Sequence, residues 1–202
     1  MTLLPSPARV GGMDTLEAIS RRRSIRRFKS TPVPRELIER VLEAAVQAPS
    51  AKNRQPWRFV VLEGGACDTL ARLMEEGAAF LRGQGEDVGS CEHSARIVRQ
   101  APVTILVFNA AYEHEGLIFE HVIYNAPDIQ SIGGMVQTML LAAEALGLGS
   151  LWICDVLYAY PTIRKWLGQR LELVTAVSLG FADEAPAARP RMRVDELTEW
   201  RE

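Results

Sequence analysis

The order of apolar segments predicts a layered α/β or α+β fold. Two observations carry this. Four short runs rich in apolar residues, 58–63 (RFVVLE), 103–109 (VTILVFN), 151–154 (LWIC) and 173–179 (LVTAVSL), read as strands. Segments with apolar residues at helical spacing lie between them. With 202 residues, 48% apolar and 24% charged, the chain is an ordinary globular one. A chain of this length buries roughly 70% of its unfolded surface, so it needs no disulfide or structural metal to fold.

Each element has its own local reason. Residues 1–13 read as a flexible lead ahead of one domain over 14–202. Asp14 and Glu17 have capping-box spacing and start a short helix that runs to about Arg22. The basic stretch 23–31 leaves that helix. Pro34 suits the first turn of the next one. There Leu37, Ile38, Val41, Leu42 and Ala45 form one stripe, and Pro49 closes it. Strand 58–63 follows, then a turn at Gly64-Gly65. Residues 66–82 form a helix with Leu70, Leu73, Met74 and Leu81 inward, and 83–92 form a Gly-rich polar loop. The nearly all-apolar strand 103–109 is buried on both faces. Residues 110–126, with Tyr112, His114, Phe119, His121 and Tyr124, follow no period. A long apolar helix begins near Asp128 and ends at Gly147, a natural helix terminator. Strand 151–154, a short helix over 161–167 and strand 173–179 complete the core, with Cys154 expected inside it. The last twenty residues are polar and Pro-rich. They are too long for a frayed end and should dock, with a second subunit as the expected partner.

Charge and cysteine usage narrow the function. The net charge is −2, yet residues 1–60 hold twelve Lys and Arg against five Asp and Glu. Such asymmetry points to an anionic ligand at the first third. Three widely spaced cysteines are no disulfide framework, and reduced cytoplasmic thiols are the expectation. The first residues, MTLLPSPARVGG, hold no long apolar run of a signal peptide. Gln130, Gln137 and Glu144 interrupt the long apolar helix, which argues for a core or interface helix and no membrane span. Cys91-x-His93 lacks a second ligand pair for zinc, so no metal is expected. No GxSxG, Walker A or GxGxxG motif appears.

Three segments concentrate chemistry. Arg22, Arg23, Ser24 and Arg26 lie in RRRSIRRFK, where guanidinium forks and a hydroxyl suit a phosphate. Pro49, Ser50, Ala51, Asn53 and Gln55 lie in the loop PSAKNRQPW, whose amides suit the polar edges of a flat ring. Ser150, Leu151, Trp152 and Ile153 follow a Gly-rich turn in ALGLGSLWI. Each alone has a plain alternative: a solvated basic face, a helix–strand connector with Trp57 as packing, a common turn. A basic nucleic-acid arm is also open from the Arg run, but the net charge and the lack of a nucleic-acid motif argue against it.

Together with a basic tail, these segments resemble the nitroreductase family of FMN-dependent oxidoreductases, from about Asp14 to Arg193. The resemblance implies a three-layer α-β-α fold of the α+β class, with a mostly antiparallel sheet, in an intertwined homodimer with FMN at the interface. It implies Arg22 and Ser24 on the phosphate and ribityl chain, with Arg23 beside them. Arg26 lies at the N1/C2-carbonyl edge as the one catalytic, electrostatic group. The loop at 49–55 reaches the flavin held mainly by the other subunit. Residues 150–153 run beside the ring, and Arg191 and Arg193 bind the phosphate. The implied reaction passes a hydride from NADH or NADPH to flavin N5 and then to a small electrophilic acceptor, with ping-pong kinetics. A relative with other flavin chemistry (ene reduction, dehalogenation, flavin fragmentation) and a non-catalytic FMN-binding protein stay open.

Overall fold

The computed structural model describes residues 13–111 and 125–201. Four strands form one antiparallel sheet in the order β1-β2-β4-β3. They are β1 (Trp57–Glu63), β2 (Val103–Asn109), β3 (Gly149–Ile153) and β4 (Glu172–Gly180). The central strand β2 is buried at every position, as its apolar run predicts. It pairs with β1 on one side and β4 on the other, and the β2–β4 register shifts at Val107/Phe108.

Alternation along β2 divides the core. Val103, Ile105 and Val107 face α2 (Arg35–Ala45) and the long helix α5 (Ala126–Ala145). Leu106 and Phe108 face α3 (Gly65–Gly83) and α4 (Cys91–Gln100). One hydrophobic core therefore lies on each face of the sheet, which is the period-2 rule of strands at work. The short helix α6 (Tyr160–Leu167) buries Ile163 in the α3/α4 core.

The helix ends follow local chemistry, with three departures. Asp14 caps α1 (Thr15–Arg21), its Oδ1 accepting from Leu16 N–H at 3.0 Å. The expected capping box does not form: Asp14 meets the Leu16 amide, one short of Glu17, and Glu17 pairs with Arg21 at 3.0 Å instead of turning back to the cap. Helix α2 ends at Ala45, before Pro49, through bonds from Gln47 and Ala48 N–H to Ala44 and Ala45 carbonyls. The predicted loop 83–92 stops at Ser90, where α4 begins. Helix α5 closes as its glycine predicts. Gly147 sits at φ +76°, and Leu148 N–H donates to Ala143 O at 2.8 Å. Among the described residues, no helix is long and apolar enough to cross a membrane.

Candidate active site

The basic segment runs beside β3. Ser24 and Ser150 form a parallel bridge, and Ile25 N–H donates to Ser150 O at 3.0 Å. Gly149 permits this approach, since a Cβ there would lie 2.9 Å from Ile25 Cγ1. Further along, Phe28 bridges Ala182, and Lys29 N–H donates to Phe181 O at 2.8 Å. Glu184 accepts from the N–H groups of Arg26 and Arg27. These contacts bring Arg22, Arg23, Ser24 and Arg26 beside the Ser150–Ile153 strand, more than a hundred residues away in sequence.

The segment lines a cleft of about 350 Å³, closed on its other side by Pro186, Arg189 and Arg191. The first and last parts of the domain thus meet here. Arg26 and Arg189 also border an adjoining cavity of about 590 Å³, walled by Leu151, Trp152, Ile153, Cys154 and, from α4, His93 and Ile97. One end of this double cleft is cationic and the other is broad and partly apolar.

The cations are not equivalent. The side chains of Arg22 and Arg189 have no ion-pair or hydrogen-bond partner among the described residues. Arg23 Nη1 donates to the carbonyls of Ser20, Arg21 and Arg22 at 2.7, 2.9 and 3.0 Å, so it closes the end of α1. Arg26 Nη1 donates to Ser24 O at 3.2 Å. Arg193 lines neither cavity. Its fork meets Asp195 at 2.9 and 2.7 Å, which holds the guanidinium above and the carboxyl below their usual pKa values. The expected pair Arg191 and Arg193 is therefore placed apart, and Arg189 stands with Arg191 instead.

The loop at 49–55 lies elsewhere. Ala51 N–H donates to Ser131 Oγ at 3.1 Å, and Arg54 pairs with Asp128 at 2.7 Å. Both partners are on the first turns of α5. The basic segment meets the far end of that helix, where Arg21 pairs with Glu144 at 3.7 Å. Thirteen residues of helix separate Ser131 from Glu144, about 20 Å at 1.5 Å per residue. Lys52, Asn53 and Gln55 have φ of +52°, +53° and +48°, left-handed conformations that cost non-glycine residues energy. Gln55 N–H donates to Ser50 Oγ at 3.0 Å, and Gln55 Nε2 to Asn53 Oδ1 at 3.3 Å. The tips of Asn53 and Gln55 are exposed, while Trp57 is buried as packing.

Some site features were not legible in sequence. Helix α4 supplies Ser94, and Ser90 precedes it. Both hydroxyls donate to Asp155 Oδ2, at 2.5 and 2.8 Å, and so fix the far wall of the larger cavity. Cys154, expected in the core, is exposed beside that wall, because β3 ends one residue earlier. Cys91 is the buried thiol of this region. Burial, helped by nearby Asp155, pushes its pKa up to about 11. Tyr112, His114, Phe119, His121 and Tyr124 lie outside the described residues.

The nitroreductase family model matches residues 19–181. The chain belongs to the nitroreductase family. The match covers the basic segment, the 49–57 loop and the sheet, and it stops before Arg189. An NADH dehydrogenase of Thermus thermophilus is 30% identical over 220 residues, covering 94% of this chain and 97% of its own. The nitroreductase NfnB of Mycolicibacterium smegmatis is 28% identical over 218 residues, covering 90% of each. Among solved structures, one from Desulfovibrio desulfuricans, described as a nitroreductase in complex with FMN, shares 32% identity. It has a TM-score of 0.72 and covers 93% of this chain and 96% of that one.

Proposed function

We propose that this protein is an FMN-dependent oxidoreductase that draws electrons from NADH or NADPH and reduces a small electrophilic acceptor, such as a nitroaromatic or a quinone. The carrying observation is the double cleft: two guanidiniums unpartnered among the described residues at its narrow end and a partly apolar strand wall, Leu151–Ile153, at its broad end. Family membership and the FMN in the Desulfovibrio relative support the same cofactor here.

The donor set fits FMN. Arg22 and Arg189 supply free forks for a phosphate dianion, with the Ser24 hydroxyl beside them and Arg191, whose Nη1 donates to Pro190 O at 3.3 Å, on the same rim. Leu151, Trp152 and Ile153 offer a strand surface for the ring. When bound, FMN supplies the two-electron chemistry that joins nicotinamide to acceptor. Arg26 lies where the two compartments meet. Its fixed positive charge favours negative charge developing at the ring edge, and no nucleophile is required of the protein. His93 and Ile97 shape the space left for a second reactant.

The working unit is a homodimer in this reading, with sites shared between chains. About 20 Å of helix separates Ser131, which holds Ala51 of the loop, from Glu144, which pairs with Arg21 at the start of the basic segment. The loop's exposed amides therefore serve a flavin held by a second copy. Exposed Met192, Val194, Leu197 and Trp200 give the C-terminal segment an apolar surface that a partner subunit covers. The two cores on opposite faces of the sheet support the three-layer arrangement of a single domain over 14–202, preceded by the short lead 1–13.

The test is the visible spectrum of the purified protein before and after anaerobic NADH or NADPH. Yellow protein that bleaches supports the proposal. Protein that cannot be reconstituted with FMN overturns it. Yellow protein that neither nucleotide bleaches would leave a binding role in place of the enzyme.

A further inference from the structure

The first turns of α5 hold more than the helix needs. Asp128 is buried, and its Oδ1 meets Arg54 at 2.7 Å, away from hydrogen-bonding geometry, with no hydrogen-bond donor among the described residues. The Arg54 charge is thus what compensates that oxygen, aided by the positive end of the helix dipole. One turn on, Ser131 Oγ accepts from Ala51 N–H and donates to Pro127 O at 2.7 Å. At the start of the helix, buried Asn125 and Asn109 share Glu172, which opens β4. The distances are 3.2 Å from Asn125 and 3.0 Å from Asn109 to the carboxylate, and 2.8 Å between the two amides. One set of polar contacts therefore ties the sheet to the start of α5, and a second ties the first turns of α5 to the loop.

The loop needs such a tie. Three non-glycine residues of 52–55 sit in left-handed conformations, which persist only when the surroundings hold them. Bonds within the loop, from Ser50 and Asn53, fix its shape but not its place. At its exit, Arg58 Nη1 donates to Gln55 O at 3.5 Å and Ala110 N–H to Pro56 O at 2.7 Å, while the contacts of Ala51 and Arg54 to α5 fix the place of its middle.

We infer that the Asp128–Arg54 pair is a positioning device that sets where Asn53 and Gln55 present their amides to the flavin, although neither residue touches flavin or substrate. This rests on the reading of the loop as a flavin-edge arm. Asp128 and Arg54 are positioning residues, and their removal should move the loop before it moves the fold.

The experiment uses the full chain with D128N, R54K and the charge-free pair D128N/R54M, which leaves no uncompensated buried charge and carries the test if D128N does not fold. Trypsin cleavage at Lys52 is followed in FMN-free protein, and FMN affinity and the flavin midpoint potential in reconstituted protein. In D128N and in the pair, cleavage at Lys52 should rise at least about tenfold over other sites. FMN should bind about tenfold more weakly, the worth of one or two lost hydrogen bonds, and the midpoint potential should shift. R54K, which keeps a charge, should lie nearer the wild type in all three. Equal cleavage, or unchanged affinity and potential, would overturn the inference. Wild-type protein that binds no FMN fails the proposed function itself. Selective cleavage in the variants would then still place the loop under the control of Asp128, and its absence would remove that too.

Discussion

Arg189 and Arg193 give opposite expectations for cofactor binding, and their substitution separates structure from sequence pattern. Arg189 borders both cavities and its guanidinium has no partner among the described residues, so it is available to a phosphate. A charge-assisted hydrogen bond contributes about 1.5–3 kcal/mol. At 1.4 kcal/mol per tenfold, Arg189→Ala should weaken FMN binding by roughly 10- to 150-fold. Arg193 is exposed, lies outside both cavities and is already paired with Asp195 at 2.7 and 2.9 Å. Arg193→Ala removes a fully exposed, solvent-screened surface pair, and it should change FMN affinity by about twofold or less. The assay is quenching of FMN fluorescence on titration of cofactor-free protein, at two salt concentrations. The Arg189 effect should shrink as salt rises, because the lost attraction is partly screened. If Arg193→Ala costs as much affinity as Arg189→Ala, the assignment of the cleft is wrong.

Three further expectations follow from the same geometry. Arg26→Ala should keep measurable FMN affinity and slow flavin reduction in stopped-flow absorbance, and an unchanged reduction rate would remove its electrostatic role. Gly149→Ala should drive a Cβ into Ile25, an overpacking cost of about 1–3 kcal/mol. It should lower Tm by roughly 2–4 °C for each kcal/mol in a domain of this size, and loosen FMN binding because Ile25 carries the basic segment. In FMN-free protein at pH 8, a thiol reagent should label Cys154 alone. Cys91, held near pKa 11, and buried Cys67, also raised by desolvation, should react only in denaturant. The sign is direct: raising the pH towards 11 should make Cys91 more reactive, and any fast labelling of Cys91 at pH 8 contradicts its burial.

Strong local signals survived into the structure and weak ones did not. The strand 103–109 was legible because every one of its residues has to be buried. The long helix was legible because Gly147 ends it with a conformation few other residues adopt. Helix α4 was not, since its buried positions are Cys91, Ser94, Ala95, Ile97 and Val98, only two of them large aliphatics, and it follows a Gly-rich stretch. In the run 189–193, three arginines alternate with other residues, and nothing in that spacing says which two line the cleft. Asp195, two residues past Arg193, was the available signal, since it captures that guanidinium. Asp128 looked like ordinary punctuation before an apolar helix. Its partner is 74 positions earlier, and only the folded chain brings Arg54 to it.

The strip of chain from Arg23 to Lys29 also solves a problem of association. Strand β3 is the last in its sheet, and a bare outer strand invites pairing with any extended segment of another molecule. Here that flank is met by Ser24, which bridges Ser150, and by Ile25, whose N–H donates to the Ser150 carbonyl, and five cationic side chains lie between 22 and 29. The residues that would greet a phosphate therefore also act as gatekeepers of the sheet margin. Anything that peels this strip away uncovers a template for aggregation at the moment it empties the cleft. Cofactor supply and solubility should consequently rise and fall together.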